Sequence, residues 1–280
     1  MPLLIVVLGI VLLFLLIAVF KLNAFLSFII VCLLVGILQG MELEAVIQSI
    51  QNGIGSTLGF LVLILGLGAM LVKLVAESGA AQRITSGLVD RFGRKYIQWA
   101  VVLAGFIVGI PMFYTVGFVI LIPLVFTVAA ATNLPLIYVG LPMLTSLSVT
   151  HGFLPPHPAP TAIASMFGAS IGKTLLYGTV VAIPAIVLAG PLFARTIKKI
   201  KATPLPEFYN PVVLKDDEMP KMGISIFTAL LPVLLIGLST LLDYALPVGF
   251  PGRKLLIFIG NPVMAMLISV LVAIFTLGLS

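Results

Sequence analysis

The two histidines of this 280-residue chain, His151 and His157, lie in one short stretch, THGFLPPHPAP, over residues 150–160. The same stretch contains four prolines between Pro155 and Pro160, and long apolar runs with almost no charge flank it. Proline lacks a backbone N–H and clashes with the preceding helical turn, so a helix that enters this stretch must end there. A second, short helix is predicted to begin near Pro160, because proline is well suited to the first helical position.

The histidine pair admits two interpretations. Ionisable groups at membrane depth are candidates for function, so His151 and His157 could hydrogen-bond a ligand or carry a proton. Alternatively, they are uncharged polar side chains that accompany a break in a helix. A metal site is not predicted, because no cysteine or acidic residue lies near them in the sequence and their spacing does not place them on one helix face.

The break itself suits an anion. The second helix would point free N–H groups and its positive dipole end into the gap, and such an end attracts carboxylates. Hydroxyl groups lie close by, and a second interruption, GIPMFYTVG (residues 109–117), adds polar side chains. The candidate binding residues are Ser148, Thr150, His151, His157, Thr161, Tyr114 and Thr115, of which His151 and His157 are also the proton-coupling candidates.

The composition places these residues in a membrane. The chain is 61% hydrophobic and only 9% charged, with a mean hydropathy of +1.30, whereas a soluble domain has about 25% charged residues. Runs such as Leu3–Phe20 do not alternate with period two, which excludes an outer-membrane barrel, and they reach the about 20 residues needed to cross as helices. This first run lacks signal-peptide features and is predicted to be a retained helix. The single cysteine, Cys32, excludes an intrachain disulfide.

The net charge of +6 is predicted to set topology rather than to bind nucleic acid, because the charges lie between the apolar runs. Both basic segments should face the cytoplasm, and the acidic loop 41–53 and the N-terminus should face outward. The basic residues are Arg83, Arg91, Arg94 and Lys95 in the first segment and Arg195, Lys198, Lys199, Lys201, Lys215 and Lys221 in the second.

Between the two basic segments, residues 97–131 must leave the cytoplasm and return to it. The arms 97–110 and 117–131 would each reach about 21–22 Å at a rise of 1.5 Å per residue, which is short of a hydrocarbon core about 30 Å thick. A re-entrant helical hairpin is therefore predicted, since interrupted backbone at membrane depth needs a protein-lined cavity. The alternative is two tilted spans in a thin or distorted region.

The sequence is thus predicted to be an all-α polytopic membrane protein with a re-entrant hairpin and a broken helix. The apolar runs and the longest polar connection divide it into four parts. These are the N-terminal helices with an outward loop (1–53), a core (54–194) with hairpin 97–131 and broken helix 134–167, a cytoplasmic linker (195–221) and a last part (222–280).

Two enzyme-like motifs occur, but they lack the structural context that their function requires. GASIG (residues 168–172) matches G-x-S-x-G, and GASIGKT is one residue short of a phosphate-binding loop, but neither follows a strand as both motifs require. Small residues that pack closely at a helix connection explain this GASIG segment better. No H-E-x-x-H motif occurs. No catalytic residue, metal or cofactor is predicted, and a secondary transporter is favoured over a channel, an intramembrane enzyme or a structural scaffold.

Three segments carry a family resemblance: LSVTHGFLPPHPAPTAIA (residues 147–164), IQWAVVLAGF and GFVILIPLVFTVAA (residues 117–130). They resemble the gluconate permease family, the bacterial gluconate:proton symporters of the ion-transporter superfamily. The resemblance extends from MPLLIVVLGI to GNPVMAMLISVLVAIFTLGLS. It implies two inverted repeats, each with a hairpin and a broken helix, so that this chain would contain the first repeat and the start of a second within a longer protein.

The resemblance also implies uptake of gluconate or a related sugar acid with protons, in the bacterial inner membrane. Membrane lipid is the other expected partner, nucleic acid is not one, and a homo-oligomer stays open. Another small carboxylate, a hydroxylated amino acid or a channel function are the alternatives. At Thr115 many relatives carry an acidic residue, so the coupling ion, its stoichiometry and the particular sugar acid are left open by the sequence.

Overall fold

The computed structural model describes residues 2–200, 202, 214–247 and 249–278, and this part consists of helices and the turns between them, without strands. Within this described part, five helical runs are long and apolar enough to cross a membrane, and one further candidate is a pair of helices bent by 70° at the break between them. The predicted all-α polytopic class is therefore confirmed. The five runs are Pro2–Val19, Leu43–Glu77, Leu136–Met166, Ile171–Thr196 and Met222–Ala245.

The chain divides into two compact units, Met1–Val62 and Leu63–Ser280. The helices that lie in or begin in the first unit are α1 (Pro2–Phe14), α2 (Ala24–Leu38) and α3 (Leu43–Glu77). Those of the second unit are α4 (Ala80–Phe92), α5 (Ile97–Gly109), α6 (Tyr114–Thr132), α7 (Leu136–Phe153), α8 (Pro158–Met166), α9 (Ile171–Val187), α10 (Phe193–Thr196), α11 (Met222–Ala245), α12 (Arg253–Ile259) and α13 (Pro262–Ala273).

The first unit packs α1 against α2. Asn23 begins α2, and its Oδ1 accepts a hydrogen bond from the backbone N–H of Phe25 at 2.9 Å, as expected of a helix cap. Gly9 allows the two helices to approach closely, because a Cβ at this position would lie 2.6 Å from Val35. The predicted outward loop 41–53 is wrong in its extent, since α3 already begins at Leu43.

The residues of the first turns of α3 explain why this helix begins earlier than predicted. Glu44 lies in the first turn, where a negative charge is favourable beside the positive end of the helix. Val46 is buried, and Ile50 and Ile54 follow it at helical spacing and are half-buried. No proline interrupts this pattern, so a helix of 35 residues results, about 52 Å long at 1.5 Å per residue.

The core of the second unit surrounds α5, which is buried along most of its length. The segment after α3, predicted only as a basic connection, is largely the amphipathic helix α4, which packs against α5 and α11. Ile84 and Leu88 of α4 are buried in this core, whereas Arg91 is exposed. Burying one face of α4 stabilises the bundle while its charged face stays outside.

The predicted linker 195–221 is partly described, and residues 201 and 203–213 of it lie outside the described residues. Its last part docks on α4. Gln82 makes two hydrogen bonds with the backbone of Leu214, at 3.0 and 3.2 Å. Arg83 donates to the carboxylate of Asp216 at 3.0 Å, to the carbonyl oxygen of Asp216 and to that of Pro220. The two basic segments therefore contact each other.

The last part of the second unit contains one helix that the sequence did not predict, α12. It precedes α13 at the 70° bend. Asn261 lies at this bend and caps α13 through its side chain, which accepts from the N–H of Val263 at 3.0 Å, and Pro262 takes the first helical position. The predicted apolar run 262–279 begins at the residue where α13 starts.

Candidate functional site

The break in the proline-rich stretch separates α7 from α8. α7 continues to Phe153, one turn beyond the predicted end, and α8 begins at Pro158. Leu154 lies in the break and is buried with Leu175 of α9 and Ile236 of α11 in a small apolar cluster. The break is therefore held in place by packing, which satisfies a condition for interrupted backbone in a membrane.

The start of α8 offers fewer backbone donors than predicted. Its first and third residues, Pro158 and Pro160, have no N–H, so only Ala159 among the first three residues carries one. The N–H of Thr161 is used by the carbonyl oxygen of His157, at 3.1 Å. The prediction that several free N–H groups point into the gap is wrong, because proline at the start of a helix removes these donors while it fixes the backbone. Side chains must supply most donors for an anion here.

The register of α5 along α7 places the connection between α5 and α6 beside this break. Gln98 at the start of α5 donates to the carbonyl oxygen of Tyr138 at 3.2 Å. Gly109, the last residue of α5, lies against Thr150, since an added Cβ would be 2.3 Å from the threonine hydroxyl. The start of α5 thus lies near the start of α7 and its end near the end of α7, so the two helices run parallel.

Helix α6 returns along α7 in the opposite direction. Gly117 lies against Leu147, and Gly140 lies against Val125, so the order of contacts is reversed. The connection 110–113 is thus level with the end of α7, whereas the helical run Leu136–Met166 continues through α8. The predicted arm 117–131 is too short, because α6 has 19 residues and reaches about 28 Å.

A histidine pair joins the break to this connection. The Nδ1 atoms of His151 and His157 are 3.2 Å apart, and Nε2 of His157 lies 2.8 Å from the carbonyl oxygen of Gly109. His157 is buried and His151 is half-buried. The ring of Phe113 contacts both imidazoles, with centroid distances of 6.0 Å to His151 and 6.5 Å to His157. The two interruptions of the chain therefore share one polar contact.

Two buried threonines flank the histidine pair and use their hydroxyls differently. Thr150 donates to the carbonyl oxygen of Ser146 in its own helix, at 2.7 Å. Thr161 is fully buried, and its Oγ1 has no hydrogen-bond partner among the described residues. A buried hydroxyl without a partner costs folding free energy, so it marks a place where a ligand or water could supply the missing bond.

The remaining predicted residues lie farther from this contact or toward the surface. Ser148 and Thr115 are exposed, and Tyr114 is half-buried with its ring against Phe118, at a centroid distance of 6.2 Å. The structure thus brings His151 and His157 together and places Thr150 beside them through Gly109. Among the described residues, no hydrogen bond or ring contact joins this group to Ser148, Tyr114 or Thr115.

Sequence reasoning missed the two groups of the α5–α6 connection that touch the histidines. One is the carbonyl oxygen of Gly109 and the other is the ring of Phe113. Gly105 and Gly109 form a GxxxG pattern in the sequence, and such a pattern predicts close helix packing. That packing occurs, because a Cβ on Gly105 would lie 2.6 Å from the carbonyl oxygen of Met143. The pattern does not tell which partner helix is approached.

The site is free of acidic side chains. Residues 97–196, which form α5 to α10, contain no Asp or Glu. Among the described residues, no three His, Cys, Asp or Glu side chains converge in a way that could hold a metal ion. An arrangement of imidazoles, hydroxyls and backbone carbonyls without fixed charge suits a polar or anionic ligand and an exchangeable proton.

These features define a multi-pass membrane protein in which a helix break and a helix–helix connection meet inside the bundle. The chain belongs to the GntP permease family, whose profile, described as GntP family permease, matches residues 1–280.

Three relatives show how far this similarity extends. The chain is 54% identical to the high-affinity gluconate transporter of Escherichia coli K12 over 281 residues, which is 100% of the chain and 64% of that protein. It is 49% identical to the Gnt-II system L-idonate transporter of the same organism, over 99% of the chain and 63% of that protein. It is 48% identical to the gluconate permease of Bacillus subtilis 168, over 100% of the chain and 64% of that protein. The chain thus spans less than two thirds of these relatives, and no solved structure matches it.

Proposed function

We propose that the protein is a secondary active transporter that imports gluconate or a related sugar acid, together with protons, across the bacterial inner membrane. Membership of the GntP permease family supports transport rather than enzymatic catalysis. The relatives named for gluconate and for L-idonate support a polyhydroxy monocarboxylate as the substrate class. Another small carboxylate or a hydroxylated amino acid is the alternative substrate, and a channel is the alternative mechanism.

The observation that carries the proposal is the 2.8 Å contact between Nε2 of His157 and the carbonyl oxygen of Gly109. It connects a broken helix to a helix–helix connection inside the bundle, and transporter sites near the midplane are commonly built from such discontinuous helices. A substrate that entered this region would meet both interruptions at once.

We also propose that α5 and α6 form the re-entrant hairpin of a first inverted repeat, and that residues 222–280 begin a second. The register along α7 supports the hairpin, because α5 begins and α6 ends level with the first turns of α7, and the connection between them lies level with Thr150. The helix α5, with 13 residues, reaches only about 20 Å. The length of α6 alone does not distinguish a hairpin from a span.

The proposed substrate contacts come mainly from side chains. The buried hydroxyl of Thr161 and the imidazoles of His151 and His157 can donate to a carboxylate or bind a sugar hydroxyl. Thr150 can accept from a substrate hydroxyl while it donates to its own helix. Three further predicted residues are proposed to contact the hydroxyl groups of the substrate: Ser148, Tyr114 and Thr115.

Counterflow in proteoliposomes tests this function. The full-length protein is reconstituted, the vesicles are preloaded with unlabelled gluconate, and uptake of labelled gluconate is followed. A carrier shows saturable, transient accumulation above equilibrium, whereas a channel shows neither saturation nor counterflow. Preloading with a straight-chain carboxylate that lacks hydroxyls is the matched control, because a site built for hydroxyls discriminates against a ligand without them. Equal counterflow with both loads would contradict the proposed substrate class.

A further inference from the structure

The geometry of the histidine pair determines which nitrogen atoms carry protons. A carbonyl oxygen only accepts hydrogen bonds, so Nε2 of His157 must carry the hydrogen that it shares with Gly109. The Nδ1 atoms of the two histidines, 3.2 Å apart, need one hydrogen between them. In neutral His157 the Nδ1 atom is then unprotonated, because a neutral imidazole has one N–H. His151 therefore donates through its Nδ1–H.

This leaves one nitrogen of the pair with a lone pair that neither histidine uses, Nε2 of His151. We propose that Nε2 of His151 is the proton-binding atom that couples proton movement to sugar-acid transport, and that the Gly109 carbonyl fixes this assignment through His157. The coupling role rests on the proposed function, whereas the assignment of the hydrogens rests on the hydrogen bonds alone.

Addition of one proton preserves the network. The proton bonds to the lone pair of Nε2 in His151, which becomes an imidazolium, and the Nδ1–H still points to His157. Transfer of that shared hydrogen to Nδ1 of His157 moves the charge to the buried ring and leaves His151 neutral with an Nε2–H. A second proton would place two N–H groups opposite each other and break the contact. The intact pair thus binds one additional proton. Its positive charge balances the negative charge of one monocarboxylate.

The helices that pack around this pair carry few other titratable side chains. The connection 110–113 and α5 contribute no ionisable side chain, and α6 contributes Tyr114. The helices that pack on α7 from the other side carry Lys173 at the start of α9 and Arg195 in α10, both exposed. Tyr138 of α7 and Tyr177 of α9 are the other phenols of α5 to α10. Helix α11, which packs on α5 and α9, carries Asp243, whose carboxylate pairs with Arg253, and Tyr244. A proton carried on the pair is therefore opposed by no fixed carboxylate of α5 to α10, and the carboxylate of the substrate is the available counter-charge.

Nuclear magnetic resonance of the full-length protein, labelled with 15N-histidine and held in lipid nanodiscs, tests the assignment directly. Signals of the two residues are identified by their loss in His151→Asn and His157→Gln variants. We expect neutral His157 to be protonated at Nε2 and neutral His151 at Nδ1. On acidification in the presence of gluconate, Nε2 of His151 should change from unprotonated to protonated. Neutral His157 in the Nδ1–H form would overturn the proposal, as would an unprotonated Nε2 of His151 that persists throughout.

Transport by a matched pair of variants tests the coupling. In His151→Asn the side-chain amide nitrogen takes the place of Nδ1 and keeps the donor to His157, but no second nitrogen remains to bind a proton. We expect gluconate accumulation driven by a pH gradient to fall at least about tenfold, in line with a coupling free energy between two ligands. Counterflow, which needs no net proton movement, should also fall, because His151 is a proposed substrate contact, but by a smaller factor than accumulation. His151→Gln, which displaces the donor, should reduce both.

The outcomes separate this inference from the proposed function. If accumulation and counterflow of His151→Asn fall by the same factor, His151 acts in binding and the coupling proposal is overturned, while the proposed function stands. If His151→Asn takes up gluconate with unchanged proton movement, measured with a pH-sensitive dye inside the vesicles, the coupling proposal is likewise overturned. A wild-type protein without gluconate counterflow would overturn the proposed function and with it the coupling role, whereas the hydrogen assignment would still be decided by resonance.

Discussion

Thr150 and Thr161 are both fully buried at the helix break, but only one of the two hydroxyls is satisfied within the protein. We predict that Thr161→Val lowers gluconate affinity by about 10- to 150-fold, the equivalent of about 1.5–3 kcal/mol for a hydrogen bond to a charged ligand. The melting temperature should stay the same or rise, because the variant removes a buried hydroxyl without a partner. Binding and melting are measured on the same purified full-length protein.

The matched control is Thr150→Val, which removes an equally buried hydroxyl with the same change of shape. This hydroxyl donates to the carbonyl oxygen of Ser146, so the main loss should be in stability, by about 1 kcal/mol. Because Thr150 is also a proposed substrate contact, the control should lower affinity too, but by less than Thr161→Val does, and it should lower the melting temperature more than Thr161→Val does. Equal affinities for Thr161→Val and the wild type would remove Thr161 from the site.

At the scale of helices, the contact between α5 and α7 depends on the absence of a side chain at Gly109. We predict that Gly109→Ala lowers both the melting temperature and transport, because the new Cβ would lie 2.3 Å from the hydroxyl of Thr150. Overpacking of this kind typically costs about 1–3 kcal/mol. A second change, Thr150→Ala, removes the clashing atom and should restore part of the melting temperature.

Gly66→Ala is the control for the helix propensity of the new residue. A Cβ at Gly66 in α3 meets no atom within 4 Å, so this variant should be neutral or more stable by up to about 1 kcal/mol. Melting curves of the three variants in one detergent give the comparison. If Gly109→Ala melts like Gly66→Ala, the close packing of the α5–α6 connection on α7 does not exist.

Local chemistry explains which elements the sequence predicted well. The break was predictable because proline removes donors wherever it occurs, and Pro262 and Asn261 mark the start of α13 in the same local way. The boundaries of α3 and α6 were less accurate, since Glu44 and Tyr114 lie outside the apolar runs from which the helices were predicted. The contact of His157 with Gly109 joins residues 48 positions apart, and no local pattern encodes such a pairing.

At the scale of the whole molecule, the end of the linker docks on α4 within the second unit. Arg83 is only 21% exposed and donates to two backbone carbonyls as well as to Asp216, whose side chain is 89% exposed. We predict that Arg83→Met lowers stability by about 1.5–3 kcal/mol, because it removes several charge-assisted hydrogen bonds. Asp216→Asn, which weakens only the exposed ion pair, should cost less than about 1 kcal/mol. Equal melting temperatures of the two variants would show that the backbone contacts of Arg83 contribute nothing.

The same docking of the linker on α4 makes a prediction about topology. Single cysteines that replace Arg91 and Lys199, both exposed, should react with a membrane-impermeant maleimide only from the cytoplasmic side. A cysteine at Glu44, which is also exposed, should react only from the outside. The background carries Cys32→Ser, because Cys32 is itself exposed. The predicted sides follow from the excess of basic residues around α4 and in the linker, which favours their retention in the cytoplasm.

If positions 91 and 199 were labelled from opposite sides, an odd number of crossings would separate them. The hairpin of α5 and α6 could then not return to the side it left, and the proposed arrangement of the first repeat would be wrong.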